Sequence, residues 1–279
     1  MIGAAVLYGG ENEGKHREVT LMEQWAQLYE LWSGQIKAGA DLPFWQGLFV
    51  NFYQSFIYAD RWTQYLEGLG RTLQITVMAL ILGVILGVIV AVLRTAHDQQ
   101  RFGHRNWLLG VINTVCKLYT TIIRGTPMMV QLLIMGLVIF SQSRNFALVG
   151  ALTLGINSGA YVAEIVRSGL MSVDSGQMEA GRSLGLNYIT TMRFVVVPQA
   201  VKNILPALGN EFITLLKDTS LITVIGGKEM LYAAQAIYAK TYAPMMPLIA
   251  TALMYLVVVI LFTWLLGKLE RRLRESDRR

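Results

Sequence analysis

Two segments of the chain carry ionisable and amide side chains at helical spacing. In one, Asn157, Tyr161, Glu164 and Ser168 recur at intervals of four, three and four. In the other, Glu211, Thr214 and Asp218 recur in the same way, with Lys217 beside them. Such spacing places each set on one face of a helix. Lining a cavity, these groups could hold an ammonium and a carboxylate. The alternative is that Glu164 pairs with neighbouring loops and that Lys217 and Asp218 neutralise each other.

No arrangement typical of catalysis accompanies these residues. The stretch "IGGKEM" (225–230) has a Gly-Gly-Lys, but it lacks the upstream Gly and the Ser or Thr of a phosphate-binding loop. The three histidines, His16, His97 and His104, are scattered through polar segments, and the lone Cys116 excludes an internal disulfide. We therefore expect no metal site, no cofactor and no enzymatic activity in this chain.

The two polar faces lie within a chain of membrane-protein composition. Of its 279 residues, 54% are hydrophobic and only 15% are charged. Residues 72–93 and 241–267 carry no charge over 22 and 27 positions, enough to cross a bilayer as helices. Uncharged runs of 19 residues at 125–143 and 145–163, and the weakly apolar segment 203–227, add three candidates. The prediction is an all-α integral membrane protein with five transmembrane helices.

The distribution of Lys and Arg predicts the orientation of these spans. Basic residues concentrate after the first span (94–105), between the third and fourth (167–202) and after the last (268–279). Five spans place all three segments on one side, which the positive-inside rule assigns to the cytoplasm. We therefore expect the N-terminus outside and the C-terminus in the cytoplasm. This asymmetry accounts for the net charge of +6 without a nucleic-acid partner.

The region before the first span is expected to form an N-terminal extension, residues 1–68. We see no removable signal peptide at its start. Apolar residues from Leu21 to Ile36 recur at helical spacing and predict an amphipathic helix. Residues 42–59 are uncharged and rich in aromatic residues, which favour the headgroup zone. We interpret this piece as an interfacial helix, with a sixth span as the alternative. Residues 69–270 then form the transmembrane domain, and 271–279 a basic cytoplasmic tail.

The segment between the third and fourth spans, residues 172–198, contains helix start and stop signals typical of a folded element. Asp174 followed by Gln177 resembles a capping box, and Gly185 is placed to end the helix. This predicts a helix from Ser175 to Leu184 on the cytoplasmic side. A second helical piece from Tyr188 should end or kink at Pro198.

The same segment resembles the cytoplasmic signature of the membrane subunits of bacterial ATP-binding-cassette importers. That signature is Glu-Ala-Ala, three residues, Gly, nine residues, then Ile-x-Leu-Pro. Here Glu179, Ala180 and Gly181 are followed by Gly185 and by Val-Val-Val-Pro ending at Pro198, with the spacing intact. The departures are Gly181 for the second Ala, and Val for Ile and Leu.

Three further stretches resemble the polar-amino-acid branch of those importers, in the same order: "RGTPMMVQLL" (124–133), "NSGAYVAEIVRSG" (157–169) and "PQAVKNILPALGNEFITLLKDTSL" (198–221). The resemblance covers residues 70–270. We expect Arg124 and Pro127 to shape a bend in the second span rather than to touch cargo. Gly83 and Gly87 should let the first span approach another helix closely.

The resemblance implies a catalytically silent permease subunit for amino acid uptake in a bacterial cell membrane. Residues 175–198 would be a coupling helix and its support, with Glu179, Ala180, Gly181, Gly185 and Pro198 as the coupling residues. The partners would be two ATP-binding-cassette ATPase subunits, a second permease subunit (self or a paralogue), an extracellular amino-acid-binding protein and the lipid bilayer. Transport would proceed by alternating access, with residues 157–164 and 211–218 as the candidate substrate path.

Two other functions remain open at this stage. One is a channel or carrier that gates without ATP, and the other is a membrane anchor or sensor whose cytoplasmic helix recruits a regulator. The spacing of the Glu-Ala-Gly loop disfavours both. The sequence does not decide which amino acid is carried or whether the two permease subunits are identical.

Overall fold

The computed structural model describes residues 20–100 and 106–275, and every regular element in those ranges is helical. The α-helices are α1 (Leu21–Lys37), α2 (Phe44–Phe52), α3 (Trp62–Asp98), α4 (Trp107–Gly125), α5 (Met128–Leu133), α6 (Phe146–Met171), α7 (Ser175–Ser183), α8 (Tyr188–Thr191), α9 (Val197–Asp218), α10 (Met230–Thr241) and α11 (Met245–Glu275). Short π-helical turns follow α2, α5 and α8, and 3₁₀ turns occupy Tyr58–Asp60 and Thr219–Ile225.

The chain divides into two units, and the first ends at Tyr58. Its two helices pack through aromatic rings. Phe49 of α2 lies edge-on to Trp25 and Trp32 of α1, at centroid distances of 5.9 and 5.3 Å. Tyr29 stacks on Tyr53 at 4.6 Å. Apolar residues at helical spacing on α1 thus meet the aromatic residues that follow Pro43. Whether residues 42–59 lie at a membrane interface stays a prediction.

The second unit, from Ala59 onward, is built around the contact between α3 and α6. Gly83 and Gly87 make this contact possible. A Cβ on Gly87 would lie 2.5 Å from Cγ1 of Val162, and one on Gly83 would lie 2.8 Å from Oγ of Ser158. The backbones can approach this closely only because both α3 positions lack a side chain. Helix α9 packs on the C-terminal half of α6 through Ala200 and Ile204.

Three helices are long and apolar enough to cross a bilayer: α3, α6 and residues 245–273 of α11. Helix α4 and the helical segment Met128–Ile139 form a bent pair, at 105°, that would make a fourth span. Helix α9 is not among these candidates. The part of the chain that the structure describes therefore has three or four candidate spans, and the count of five expected from the sequence is not reached by this criterion.

The bounds expected for the second span, residues 125–143, are wrong. Helical structure within them covers only Met128–Ile139, and the longer limb of the bent pair precedes them as α4. Thr126 is extended (φ −118°, ψ 145°) because the following Pro127 disfavours helical conformation at the residue before it. The uncharged run therefore straddles a break, and the bend that the sequence predicted near Arg124 and Pro127 is present.

Candidate coupling loop and polar helix faces

Helix α7 lies between α6 and α9 and is fixed at both ends. The Asp174 carboxylate accepts a hydrogen bond from the Gly176 N–H at 2.6 Å, which satisfies one of the unpaired donors of the first turn. At the other end Gly185 has φ +79°, the left-handed conformation that commonly ends a helix. Gln177 does not complete a capping box as expected, because its side chain accepts instead from Gln199, at 3.3 Å.

The structure separates the signature residues of this loop by exposure. Glu179 and Ala180 face solvent, as does Gly185, whereas Gly181 is buried against Thr191 of α8. A short helix thus presents one exposed edge while its other edge packs on the element that leads to α9.

Pro198 does not end the helical path, which was one of the two outcomes expected from the sequence. It occupies the first turn of α9, and helical structure continues into it from α8 through a π turn, Met192–Val196. There the Val197 N–H donates to the Met192 carbonyl, five residues back. A proline lacks the N–H that would continue this series of bonds, and the change from π turn to α-helix occurs at this point. The loop therefore passes into α9 as continuous helix.

Sequence reasoning missed an exposed apolar edge on the same loop. Leu184, Ile189 and Phe194 are 80%, 73% and 67% exposed. The signal that could have identified these residues is the presence of large apolar side chains in a polar, charged loop.

The predicted polar residues of α6 do not converge on one another, and each meets a different neighbour. Asn157 donates to Oε1 of Gln131 at 3.0 Å, and the Nε2 of Gln131 donates in turn to the carbonyls of Ile123 and Thr126 at the bend. Tyr161 is exposed, with the guanidinium of Arg124 5.2 Å from its ring centroid. The face thus anchors the bent pair, through Gln131, to α6.

Glu164 forms an ion pair with Arg94 of α3, with 2.6 Å between Oε1 and Nη1. Their side chains are 33% and 11% exposed. Nearby, Arg167 of α6 contacts Asp98 of α3 at 3.2 Å. The partner is thus on the helix α3 and not in a neighbouring loop. A role of Glu164 in the substrate path stays a prediction. The two ion pairs bind the ends of α3 and α6 together.

On α9, Glu211 accepts a hydrogen bond from Ser158 of α6 at 2.7 Å. Thr214 donates to the carbonyl of Asn210 in its own helix, while Lys217 is exposed and Asp218 half-buried. Of the seven predicted path residues, the α6 and α9 sets therefore meet only through Ser158, which the sequence analysis did not select.

Helix α9 also exposes a polar stripe that the sequence analysis covered only in part. Four exposed residues recur along it at intervals of seven, four and three: Asn203, Asn210, Thr214 and Lys217. Placing a helix with such a polar stripe against lipid costs free energy. Polar groups at membrane depth usually face a water-filled cavity or another protein chain. In the single chain the stripe is an exposed polar face.

The stretch "IGGKEM" (225–230) leads into α10, where Glu229 joins α10 to α3 and α11. Glu229 is buried, with 1% exposure, and caps α10 by accepting from the Tyr232 N–H at 2.8 Å. It also accepts from the Tyr255 hydroxyl of α11 at 2.7 Å and from Thr72 of α3 at 3.4 Å. Burial raises the pKa of the Glu229 carboxyl, against the lowering effect of these donors. The residues described here hold no group of three or more His, Cys, Asp or Glu side chains suited to a metal.

The described residues thus form a helical membrane unit with three or four candidate spans. Residues 103–275 match the family described as "binding-protein-dependent transport system inner membrane component". The match covers more than half of the chain, and the chain belongs to this family.

Two curated relatives narrow the comparison. The arginine transport system permease protein ArtQ of Bacillus subtilis (strain 168) is 38% identical over 229 residues, which cover 76% of this chain and 93% of the relative. The glutamine transport system permease protein GlnP of Escherichia coli (strain K12) is 36% identical over 213 residues, covering 75% and 92%. These homologues are permease subunits of amino acid importers.

Solved structures agree with the fold. The structure titled "Crystal structure of an amino acid ABC transporter with histidines" is 40% identical, with a TM-score of 0.68, and covers 75% of this chain and 94% of its own. The MetNI methionine ABC transporter in an inward-facing conformation has a TM-score of 0.63 at 19% identity, over 75% and 96% of the two chains, which indicates a shared fold. The chain has the fold of an ABC transporter membrane subunit.

Proposed function

We propose that this chain is the permease subunit of an ATP-driven amino acid importer in a bacterial inner membrane. The observation that carries the proposal is the folded loop between α6 and α9, because a helix held at both ends can transmit a displacement to the spans that flank it. The arginine and glutamine systems of the relatives support an amino acid as cargo.

In this proposal residues 172–198 form the coupling loop, and α7 docks on a separate ATPase subunit. Glu179 and Ala180 supply the exposed edge, Gly185 ends α7, and Gly181 and Pro198 join it to α8 and α9. ATP hydrolysis takes place on the partner, and this chain contributes only motion. The exposed Leu184 and Ile189 extend the same surface with apolar contacts.

The substrate path runs along the exposed polar faces. Tyr161 of α6 and Thr214 and Lys217 of α9 lack a covering helix in the single chain. A second permease subunit, identical or paralogous, would close the cavity that these faces line, and alternating access would expose it to either side in turn. Asn157, Glu164, Glu211 and Asp218 lie behind this surface, and we assign them to its support.

Five spans fit this proposal: α3, the bent pair of α4 with residues 128–139, α6, α9 and α11. Helix α9 is too polar to face lipid alone, but it is suited to a cavity wall. The N-terminus then lies outside and the C-terminus in the cytoplasm, where the positive charge concentrates. Residues 1–68 form the N-terminal extension, 69–270 the permease domain and 271–279 the cytoplasmic tail. An external amino-acid-binding protein delivers the cargo.

Reconstituted uptake tests the proposal. Proteoliposomes that contain the chain with its co-purified ATPase should accumulate an amino acid only with ATP inside and the binding protein outside. Glu179→Lys should abolish uptake while the protein still inserts, and Glu30→Lys, with the same charge change on the exposed side of α1, should leave it unchanged. Uptake without ATP would instead indicate a channel or carrier.

A further inference from the structure

The loop departs from the signature that it resembles at Gly181, where an Ala is expected. The structure gives this departure a physical cause. Gly181 is buried on the inner side of α7, and Thr191, at the end of α8, is fully buried beside it. A Cβ at position 181 would lie 2.5 Å from Cγ2 and 2.8 Å from Oγ1 of Thr191. Real Cβ atoms are essentially never this close to another atom, so an Ala cannot occupy this position unless something moves.

Thr191 has little freedom to move. Its hydroxyl donates to the Asn187 carbonyl at 3.0 Å, and a β-branched side chain in a helix is restricted to few rotamers. The Asn187 side chain is itself held, because it accepts from the Thr190 N–H at 2.8 Å. The side of the contact that belongs to α8 is therefore fixed by two hydrogen bonds.

The turn that joins the two helices is also fixed. The Leu186 N–H donates to the Gly181 carbonyl at 3.0 Å, and Gly185 between them is in the left-handed conformation. Gly181 therefore acts in two ways. Its carbonyl accepts the hydrogen bond that closes the turn, and its lack of a side chain lets α7 pack directly on Thr191 of α8. A shift of α7 away from Thr191 would strain the hydrogen bond between the Leu186 N–H and the Gly181 carbonyl.

We propose that Gly181 and Thr191 are a complementary pair that makes α7, α8 and α9 move as one body. Gly181 is a positioning residue for energy coupling: it touches neither cargo nor nucleotide, and it sets the distance of α7 from the helix that continues into α9. This inference rests on the proposed function of the loop. It also explains how the loop keeps its rigidity with a glycine in a helix, since the packing replaces the lost helix propensity.

The test is a double-mutant cycle on the complete transporter complex. Gly181→Ala should lower the amount of amino acid taken up per ATP hydrolysed by about fivefold, as expected for overpacking a buried contact. Thr191→Ala opens a gap at the contact and should also lower the ratio, and the double variant Gly181→Ala with Thr191→Ala should recover most of the wild-type ratio, because the added Cβ fills part of that gap. Gly110→Ala is the control, because a Cβ there meets nothing within 4 Å.

The ratio of uptake to hydrolysis, measured at equal complex yield, separates positioning from simple misfolding. The proposal would be overturned if Gly181→Ala kept the wild-type ratio of uptake to hydrolysis. It would also be overturned if the double variant had no higher ratio than Gly181→Ala alone. If Gly181→Ala fails to assemble, recovery of assembly in the double variant supports the pair, and its continued failure rejects it. A wild-type chain that binds no ATPase would reject the proposed function instead.

Discussion

The ion pair between Arg94 and Glu164 offers a test of what the polar face of α6 does. Its residues belong to different helices, and the pair is largely buried. Nε of Arg94, also buried, has no hydrogen-bond partner among the described residues, so the guanidinium already depends on this carboxylate. Glu164→Gln would leave a buried positive charge without its counter-charge.

The expected loss of stability follows from how deeply the ion pair is buried. Removing one partner of a fully buried pair costs about 3–5 kcal/mol, and exposed pairs contribute about 0–1 kcal/mol. Because the Glu164 side chain is 33% exposed, water offsets part of the loss. We expect Glu164→Gln to destabilise the contact between α3 and α6 by about 2 kcal/mol.

The assay compares Glu164→Gln, Arg94→Met and the double variant in purified complexes in lipid nanodiscs. The thermal midpoint should fall in each single variant and recover in the double variant, which carries no unpaired charge. Ser168→Ala, on the same face and bonded only to its own helix, is the control. An unchanged midpoint with a raised KM for uptake would refute this reasoning and return Glu164 to the substrate path.

Variants at three further positions test other parts of the structure. Glu229→Ala removes the cap of α10 and leaves the donors of α3 and α11 unpaired, so it should lower stability by about 3 kcal/mol, and Glu229→Gln by less, measured by thermal unfolding. Gly185→Ala forces a side chain into a φ of +79° and should cost about 1 kcal/mol, seen as reduced co-purification of the ATPase, since α7 ends there. Lys217→Met should lower uptake at unchanged complex yield; normal uptake would remove Lys217 from the path.

The sequence predicted those elements that local chemistry determines. The uncharged runs correspond to α3, α6 and α11, because a run long enough to cross a bilayer has few alternatives to a helix. Asp174 and Gly185 bound α7 because caps act within one turn. The bend near Pro127 was expected, but the second span was placed too late in the chain, because Lys117 and Arg124 interrupt the apolar pattern of α4.

Contacts between distant residues had no such signal. Glu211 meets Ser158 across 53 residues and Glu164 meets Arg94 across 70, and nothing local distinguishes these partners from other polar residues on the same helices. Pro198 was expected to end or kink a helix, because the π turn that carries helical structure into α9 is not visible in the sequence. The close approach at Gly181 likewise depends on where α8 folds back.

Isolation of the chain from its native membrane tests the central claim most directly. The chain should be purified in mild detergent and every co-purifying protein identified, with Glu179→Lys prepared in parallel. The account predicts an ATP-binding-cassette ATPase at comparable stoichiometry with the wild-type chain, and its loss from the Glu179→Lys variant. A wild-type chain that comes out alone, and remains alone after crosslinking from position 179, would contradict the assignment as an importer subunit.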